Sequence, residues 1–247
     1  MERLICAAVQ MTSTEDIAHN LERADVLCRR AAARGAGLIS LPENFGFLSE
    51  NESKPPAEAV QDPGPQLRFG RNTAKELSVY LLLGSVPEKI QGEERVYNTS
   101  FLFDPSGEIV ARYRKIHLFD VSVAGKEYRE SSRVAPGGVA VVAETAFGSI
   151  GLSICYDVRF PELYRALSQK GATILSVPAA FTLMTGKDHW EVLLRARAIE
   201  NQAFVIASAQ SGKHGNWRQS YGHSMIIDPW GLVLLAPKMA RVSPSLS

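Results

Sequence analysis

Cys155 stands where a strand pattern gives way to a helix pattern. Ile150, Leu152 and Ile154 alternate with small residues as in a buried strand, and Pro161 followed by Glu162 suits the first turn of a helix. In open α/β sheets, ligands bind at the edge beyond the carboxyl ends of the strands. A free cysteine is also a common small core residue, so this segment alone does not separate packing from chemistry. A cysteine nucleophile needs its thiolate and a base within reach to generate it. His117 is one candidate base. Glu43 is the other, because a carboxylate shielded from water has its pKa raised toward neutrality, which suits proton transfer. Lys115 would supply positive charge to the oxyanion that develops when a thiolate attacks a carbonyl. Glu130 could hold that lysine and polarise water. Each also has a plain structural use: Lys115 as a surface cation, Glu130 as a loop carboxylate, Glu43 as a helix cap.

The elements that must position these residues follow from patterning. Leu4–Val9 reads as a strand, and Ser13 or Thr14 caps a long helix reaching about Arg34 that buries Cys28. Leu38–Leu41 is a short strand running into Glu43. Asn51 to Pro65 reads as a surface loop, Gln66–Leu77 as a helix and Tyr80–Gly84 as a strand. A hairpin follows at Thr99–Phe103 and Ile109–Tyr113, leading into Lys115. Lys115 to Gly138 reads as a long irregular segment, and loops of that length in a compact domain are usually functional. The second half has strands at Val139–Val142 and Ser149–Ile154, a helix at Pro161–Lys170, a strand at Thr173–Val177, a helix at Asp188–Gln202 and a strand at Phe204–Ala209. A hairpin at His223–Ile227 and Leu232–Leu235 closes it.

The two halves match in letters as well as in order. Gly35 to Phe45 lines up with Gly171 to Phe181, and the turn Asp104-Pro-Ser-Gly107 with Asp228-Pro-Trp-Gly231. Such a repeat implies two similar α/β halves about a pseudo-two-fold axis. Each half has too few strands to cover both faces of a sheet, so the sheets should pack on each other with helices outside, as a four-layer α-β-β-α sandwich. In this alignment Glu43 faces Ala179. A carboxylate where the scaffold tolerates alanine points to chemistry.

Composition narrows the function. The 247 residues, 45% hydrophobic, can bury a large core as one domain spanning 1–247. Lys plus Arg number 27 against 26 Asp plus Glu, with no basic block, so neither nucleic acid nor a membrane is expected as a partner. No apolar run approaches the roughly 18 residues that span a bilayer, and the N-terminus enters a strand pattern without a signal-peptide core. Three widely spaced cysteines argue for a reducing, cytoplasmic setting. No Cys/His group has metal-ligand spacing, and no metal or other cofactor is expected.

Leu41-Pro-Glu43-Asn-Phe, Tyr113-Arg-Lys115-Ile-His-Leu and Ile154-Cys155-Tyr-Asp-Val-Arg-Phe-Pro-Glu162 resemble, in order and spacing, the three signature regions of the carbon–nitrogen hydrolase (nitrilase) superfamily. The resemblance runs to about Leu235. It implies the αββα sandwich, a Glu43–Lys115–Cys155 triad, and a second structural or catalytic glutamate at Glu130. It implies hydrolysis of a nonpeptide C–N bond through a thioester, with the Tyr156 N–H and Lys115 at the oxyanion. His189 to Glu200 and Ser220 to Met225 resemble the Nit branch, nearest its Nit1-type deaminated glutathione amidases. ω-Amidases acting on α-ketoglutaramate-like substrates are the same-class alternative, and a catalytically silent scaffold is the alternative of another class. A small carboxylate-bearing amide needs cationic partners, for which Arg129, Lys126 and Arg133 are candidates. Phe181 and Phe47 are candidate walls of the pocket. Arg197 falls on an apolar helical stripe, so a carboxylate is expected beside it. That helix is a candidate subunit interface, and the resemblance implies homodimers or larger assemblies. Beyond Leu235 no further strand is expected, and 235–247 reads as a loosely ordered tail.

Overall fold

The computed structural model describes residues 4–49, 63–123, 125–216, 218–234 and 239–242. The first half runs β1 (Leu4–Ala8), α1 (Ile17–Ala32), β2 (Leu38–Ser40), α2 (Pro65–Leu77), β3 (Tyr80–Leu82), β4 (Val86–Lys89), β5 (Val96–Phe103), β6 (Ile109–Arg114). Between the halves lie β7 (Asp120–Val123), β8 (Lys126–Arg129) and β9 (Val134–Ala135). The second half runs β10 (Val142–Thr145), β11 (Gly148–Leu152), α3 (Pro161–Gln169), β12 (Ile174–Ser176), α4 (Leu183–Asn201), β13 (Phe204–Ala207), β14 (Ser211–His214), β15 (Arg218–Tyr221), β16 (Met225–Ile227). The last element is β17 (Met239–Val242).

Parallel β1, β2 and β3 are continued by antiparallel β5, and parallel β11, β12 and β13 by antiparallel β16. The two sheets are therefore built on the same βαβαβ plan. Period-2 alternation sorts their side chains. From the first sheet, Cys6, Leu38, Leu82 and Leu102 join one core with Ile150, Ile174 and Ile206 of the second sheet. Their neighbours Ala7, Ile39, Leu81 and Phe103 face the other way, into a core with Ala24, Cys28 and Ala74 of α1 and α2. Helices α3 and α4 lie against β11 and β13 of the second sheet. This is the four-layer αββα sandwich. The repeat survives in detail at the two hairpin turns. Asp104 Oδ1 accepts from the Ser106 and Glu108 amides, and Asp228 Oδ1 from the Trp230 and Leu232 amides. Gly107 and Gly231 each take φ +86°, which a side chain disfavours.

Several expectations need correction. The N-cap of α1 is Asp16, which accepts from the His19 amide at 3.0 Å; Ser13 and Thr14 bond to Phe45 and Asn20 instead. Helix α4 starts at Leu183, because Thr182 already has the extended backbone of an N-cap. The segment after Lys115 is not irregular: β7 and β8 pair as a hairpin, and β9 joins β5 in the first sheet. A strand does follow Leu235, since β17 pairs antiparallel with β1 and covers that edge of the first sheet. Residues 235–238 and 243–247 of the expected tail, and 50–62 of the expected loop, lie outside the described residues. The carboxylate expected beside Arg197 is Glu200, at 2.5 Å, and the same guanidinium donates to the Val158 carbonyl.

Candidate active site

Cys155 sits three residues beyond β11, and its backbone is strained. Ile154 is extended, Cys155 takes φ +51°, and a 3-10 turn over Cys155–Arg159 leads to Pro161 at the start of α3. A left-handed non-glycine residue costs energy and persists where its surroundings over-determine it. Here the Cys155 amide donates to Pro178 O at 2.9 Å, and the fully buried carboxylate of Asp157 gathers the rest. Asp157 accepts from the Ile154 amide (2.9 Å), the Tyr113 hydroxyl (2.7 Å) and the His117 amide (3.0 Å), and pairs with His117 Nδ1 (2.7 Å). Tyr113 and His117 flank Lys115, so this carboxylate ties the lysine's strand end to the cysteine's turn. Tyr156 follows Cys155 directly in that turn.

Glu43 lies three residues beyond β2. The next residue, Asn44, is also left-handed (φ +56°), and its amide donates to Ser85 Oγ. Gln210 donates to the Glu43 carbonyl at 3.1 Å and is held in turn by Ser13. Lys115 follows β6 directly, its amide on Asn98 O and its carbonyl receiving the Gly137 amide. Glu130 opens a 3-10 turn after β8.

These side chains converge. Lys115 Nζ lies 2.9 Å from Glu43 Oε1 and 2.9 Å from Glu130 Oε2. Asn98 Nδ2 donates to Glu43 Oε1 at 3.0 Å, the Ala180 amide to Glu43 Oε2 at 2.9 Å, and the Phe119 amide to Glu130 Oε2 at 2.7 Å. Ala180 adjoins the repeat counterpart of Glu43, so the pseudo-symmetry brings a backbone donor to this carboxylate. Lys115, Glu43 and Cys155 are 2%, 3% and 7% exposed, and share one pocket with Tyr156 and Phe181.

Burial alone would push the Glu43 carboxyl up, but the Lys115 ammonium, a hydrogen bond from the Cys155 thiol and the charge of the Arg218 guanidinium hold it below its ordinary value. This reverses the shift toward neutrality expected from shielding. Burial would push the Lys115 ammonium down, yet Glu130 and Glu43 hold it well above its usual range. Burial and the Glu43 charge push the Cys155 thiol well up. The resting site is therefore carboxylate, ammonium and neutral thiol. A thiol hydrogen-bonded to an ionised carboxylate can give up its proton as it attacks a carbon, and the adjacent ammonium can stabilise the charge that moves to oxygen. Glu43 is also linked to stability. Its folded pKa lies below the ordinary 4.5, so the stability it contributes is present above that value and lost as pH falls through the folded pKa. Glu43→Gln should flatten the fall of thermal stability on the acid side of pH 4.5, read by melting curves across pH.

Other expected residues are placed differently. His117 is engaged by Asp157 and stacks on Phe160 at 3.7 Å, so it is not the partner of the thiol. Arg129 is an exposed side chain paired with Glu127 at 2.8 Å and lines neither pocket near Cys155. Phe47 lines the chamber next door, and Arg133 lines both. The Lys126 side chain lies outside the described residues. Asp157, Asn98 and Arg218 were not singled out from the sequence; only Asp157, two residues after Cys155 in the same motif, gave a signal that could have found it. Among the described residues no three of His, Cys, Asp and Glu form a metal-binding group.

The carbon-nitrogen hydrolase family matches residues 5–240. The chain belongs to this family. It is 49% identical over 238 residues, 95% of this chain and 87% of the relative, to a deaminated glutathione amidase of Synechocystis. The crystal structure of Saccharomyces cerevisiae Nit3, a nitrilase-superfamily member, superposes with TM-score 0.88 at 30% identity, covering 98% of this chain and 91% of that one. An amidase of Nesterenkonia sp. AN1 superposes with TM-score 0.83 at 27% identity, covering 98% and 90%; its glutamate-to-glutamine mutant carries the acetamide moiety of fluoroacetamide on the active-site cysteine. In the chain described here a cysteine, a glutamate and a lysine share one pocket.

Proposed function

We propose that this protein is a cysteine-dependent amidase that hydrolyses deaminated glutathione through a thioester on Cys155. The observation that carries the reading is the meeting of Glu43, Lys115 and Cys155, drawn from three distant strand ends, in one largely enclosed pocket. The substrate assignment is supported by the 49% identity to an amidase of that name.

In the proposed reaction Cys155 Sγ attacks the amide carbon while Glu43 takes the thiol proton. A C–S bond forms and the carbonyl electrons move to oxygen, where Lys115 Nζ and the Tyr156 amide stabilise them. The carbonyl re-forms, the C–N bond breaks, and Glu43 passes the proton to the departing nitrogen. Glu43 next draws a proton from water as the water oxygen attacks the thioester carbon. The C–S bond breaks, sulfur regains its proton, and the acid leaves. Glu130 keeps the Lys115 ammonium charged and aimed, and Tyr156 and Phe181 flank the acyl group.

We further propose a homodimer in the cytoplasm. Val192 and Ile199 on α4 and Trp230 in the turn after β16 leave large apolar surfaces exposed, which supports self-association. Buried, unbridged Cys6, Cys28 and Cys155 support a reducing compartment.

Amine release should be measured on the amide of α-ketoglutarate with cysteinylglycine and on α-ketoglutaramate. A kcat/KM at least tenfold higher for the former is expected; the reverse order would make the protein an ω-amidase.

A further inference from the structure

The pocket holding Cys155 has a neighbour of similar size. Each spans about 550 Å³ when the space open to solvent is included (≈ 540 and ≈ 550 Å³), and they share a wall of Asn44, Glu130, Arg133 and Arg218. The second chamber continues past that wall along Phe47, Pro87, Val96 and Tyr97, ending in apolar and aromatic surface. Two of its polar groups have bonding capacity to spare. Asn98 is 6% exposed, and its Nδ2 is used on Glu43 while its Oδ1 is buried with no partner among the described residues. A buried acceptor left unpaired is costly, and a ligand N–H would satisfy it. Arg218, on β15, donates only a long 3.5 Å bond to Ser49 O and has no carboxylate within ion-pair distance among the described residues.

Glu43 lines the catalytic pocket, Asn98 the second chamber and Glu130 both, and Asn98 Nδ2 donates to the two carboxylates. Glu43 is the group that must stand beside the nitrogen leaving the acyl carbon. The aromatic side of the catalytic pocket, with Phe119, Tyr128 and Tyr156, is then left for the acyl portion. We infer that the second chamber is a subsite for the amine half of a secondary amide, and that Arg218 binds a carboxylate at the end of that amine's tail. A peptide-like tail suits the lining: its N–H meets Asn98 Oδ1, its side chain the apolar wall, its terminal carboxylate the guanidinium. This rests on the amidase reading and deepens it, because it assigns Arg218 as the residue that separates peptide-tailed amides from primary ones.

Two substrates with the same acyl group test it: the cysteinylglycine amide of α-ketoglutarate, and α-ketoglutaramate, which has no tail. A charge-assisted hydrogen bond contributes about 1.5–3 kcal/mol, so Arg218→Gln should lower the ratio of kcat/KM, tailed over untailed, by roughly 10- to 100-fold, with Arg218→Lys recovering part of it. On the unaltered enzyme, converting the tail's terminal carboxylate to a carboxamide should produce a similar loss, and Arg218→Gln should add little to it. A ratio unmoved by Arg218→Gln, or an unaltered enzyme indifferent to the carboxamide, overturns the subsite. Turnover of the untailed amide alone overturns the subsite while leaving the amidase reading intact; turnover of neither overturns both.

Discussion

Cys155→Ser is expected to cut amide hydrolysis by about 10⁴-fold or more, the scale seen when a catalytic nucleophile is removed. Serine matches cysteine in shape and can keep the left-handed backbone and the bond from its amide to Pro178. The thermal transition should therefore move little, by about 1 kcal/mol or less. What changes is acidity. A carboxylate held below its usual pKa can accept a thiol proton as attack proceeds, but a hydroxyl binds its proton far more tightly. Product release followed in parallel with calorimetry separates the two effects. Retained turnover in the serine variant would remove Cys155 from the reaction; a collapse of stability would make it a packing residue.

Lys115→Met should have the second large effect, and it reaches stability as well as rate. The ammonium lies 2.9 Å from each of two buried carboxylates. Without it, Glu43 and Glu130 share Asn98 and little else, and removing one partner of a buried ion pair typically costs about 3–5 kcal/mol. One carboxyl then takes up a proton nearer neutrality, since like charges in one site cannot both stay ionised. The base is weakened and the oxyanion loses its cation, which alone is worth about 10²–10³ in rate. Adding Glu130→Gln to Lys115→Met should restore part of the stability, measured by urea denaturation, and none of the activity. A Lys115→Met protein as stable as the parent would contradict the buried network.

What the sequence made legible and what it hid divide along physical lines. Short apolar runs in β1, β2 and β12 and the alternation of β11 exposed the buried strands, and Gly35 to Phe45 against Gly171 to Phe181 exposed the repeat from which the layers follow. Cys155, Glu43 and Lys115 could be picked out because each closes a strand, where the chain must turn and a side chain is free to face a ligand. The hairpin of β7 and β8 was hidden because each strand is only four residues long and β8, Lys-Glu-Tyr-Arg, is almost wholly polar. Strand β17 was hidden among Pro and Ser because its pairing with β1 is a tertiary event. The direction of the Glu43 shift also needed coordinates. Shielding predicts a raised pKa, and the 2.9 Å approach of Lys115, with the Cys155 thiol and the Arg218 charge, reverses it. Arg129 and Arg218 were indistinguishable as letters; the first is held at the surface by Glu127, while the second reaches the wall between two chambers.

The proposed reaction requires an acyl group to become bonded to one sulfur. The direct measurement is to quench the enzyme with acid during turnover of the cysteinylglycine amide and weigh its peptides by mass spectrometry. Cys6 and Cys28, buried with thiols pushed upward by burial, serve as internal controls. An α-ketoglutaryl thioester is expected on the Cys155 peptide and on neither other cysteine, lost at the rate of product release. Continued turnover with Cys155 unmodified, or an acyl group carried elsewhere, would contradict the proposed reaction.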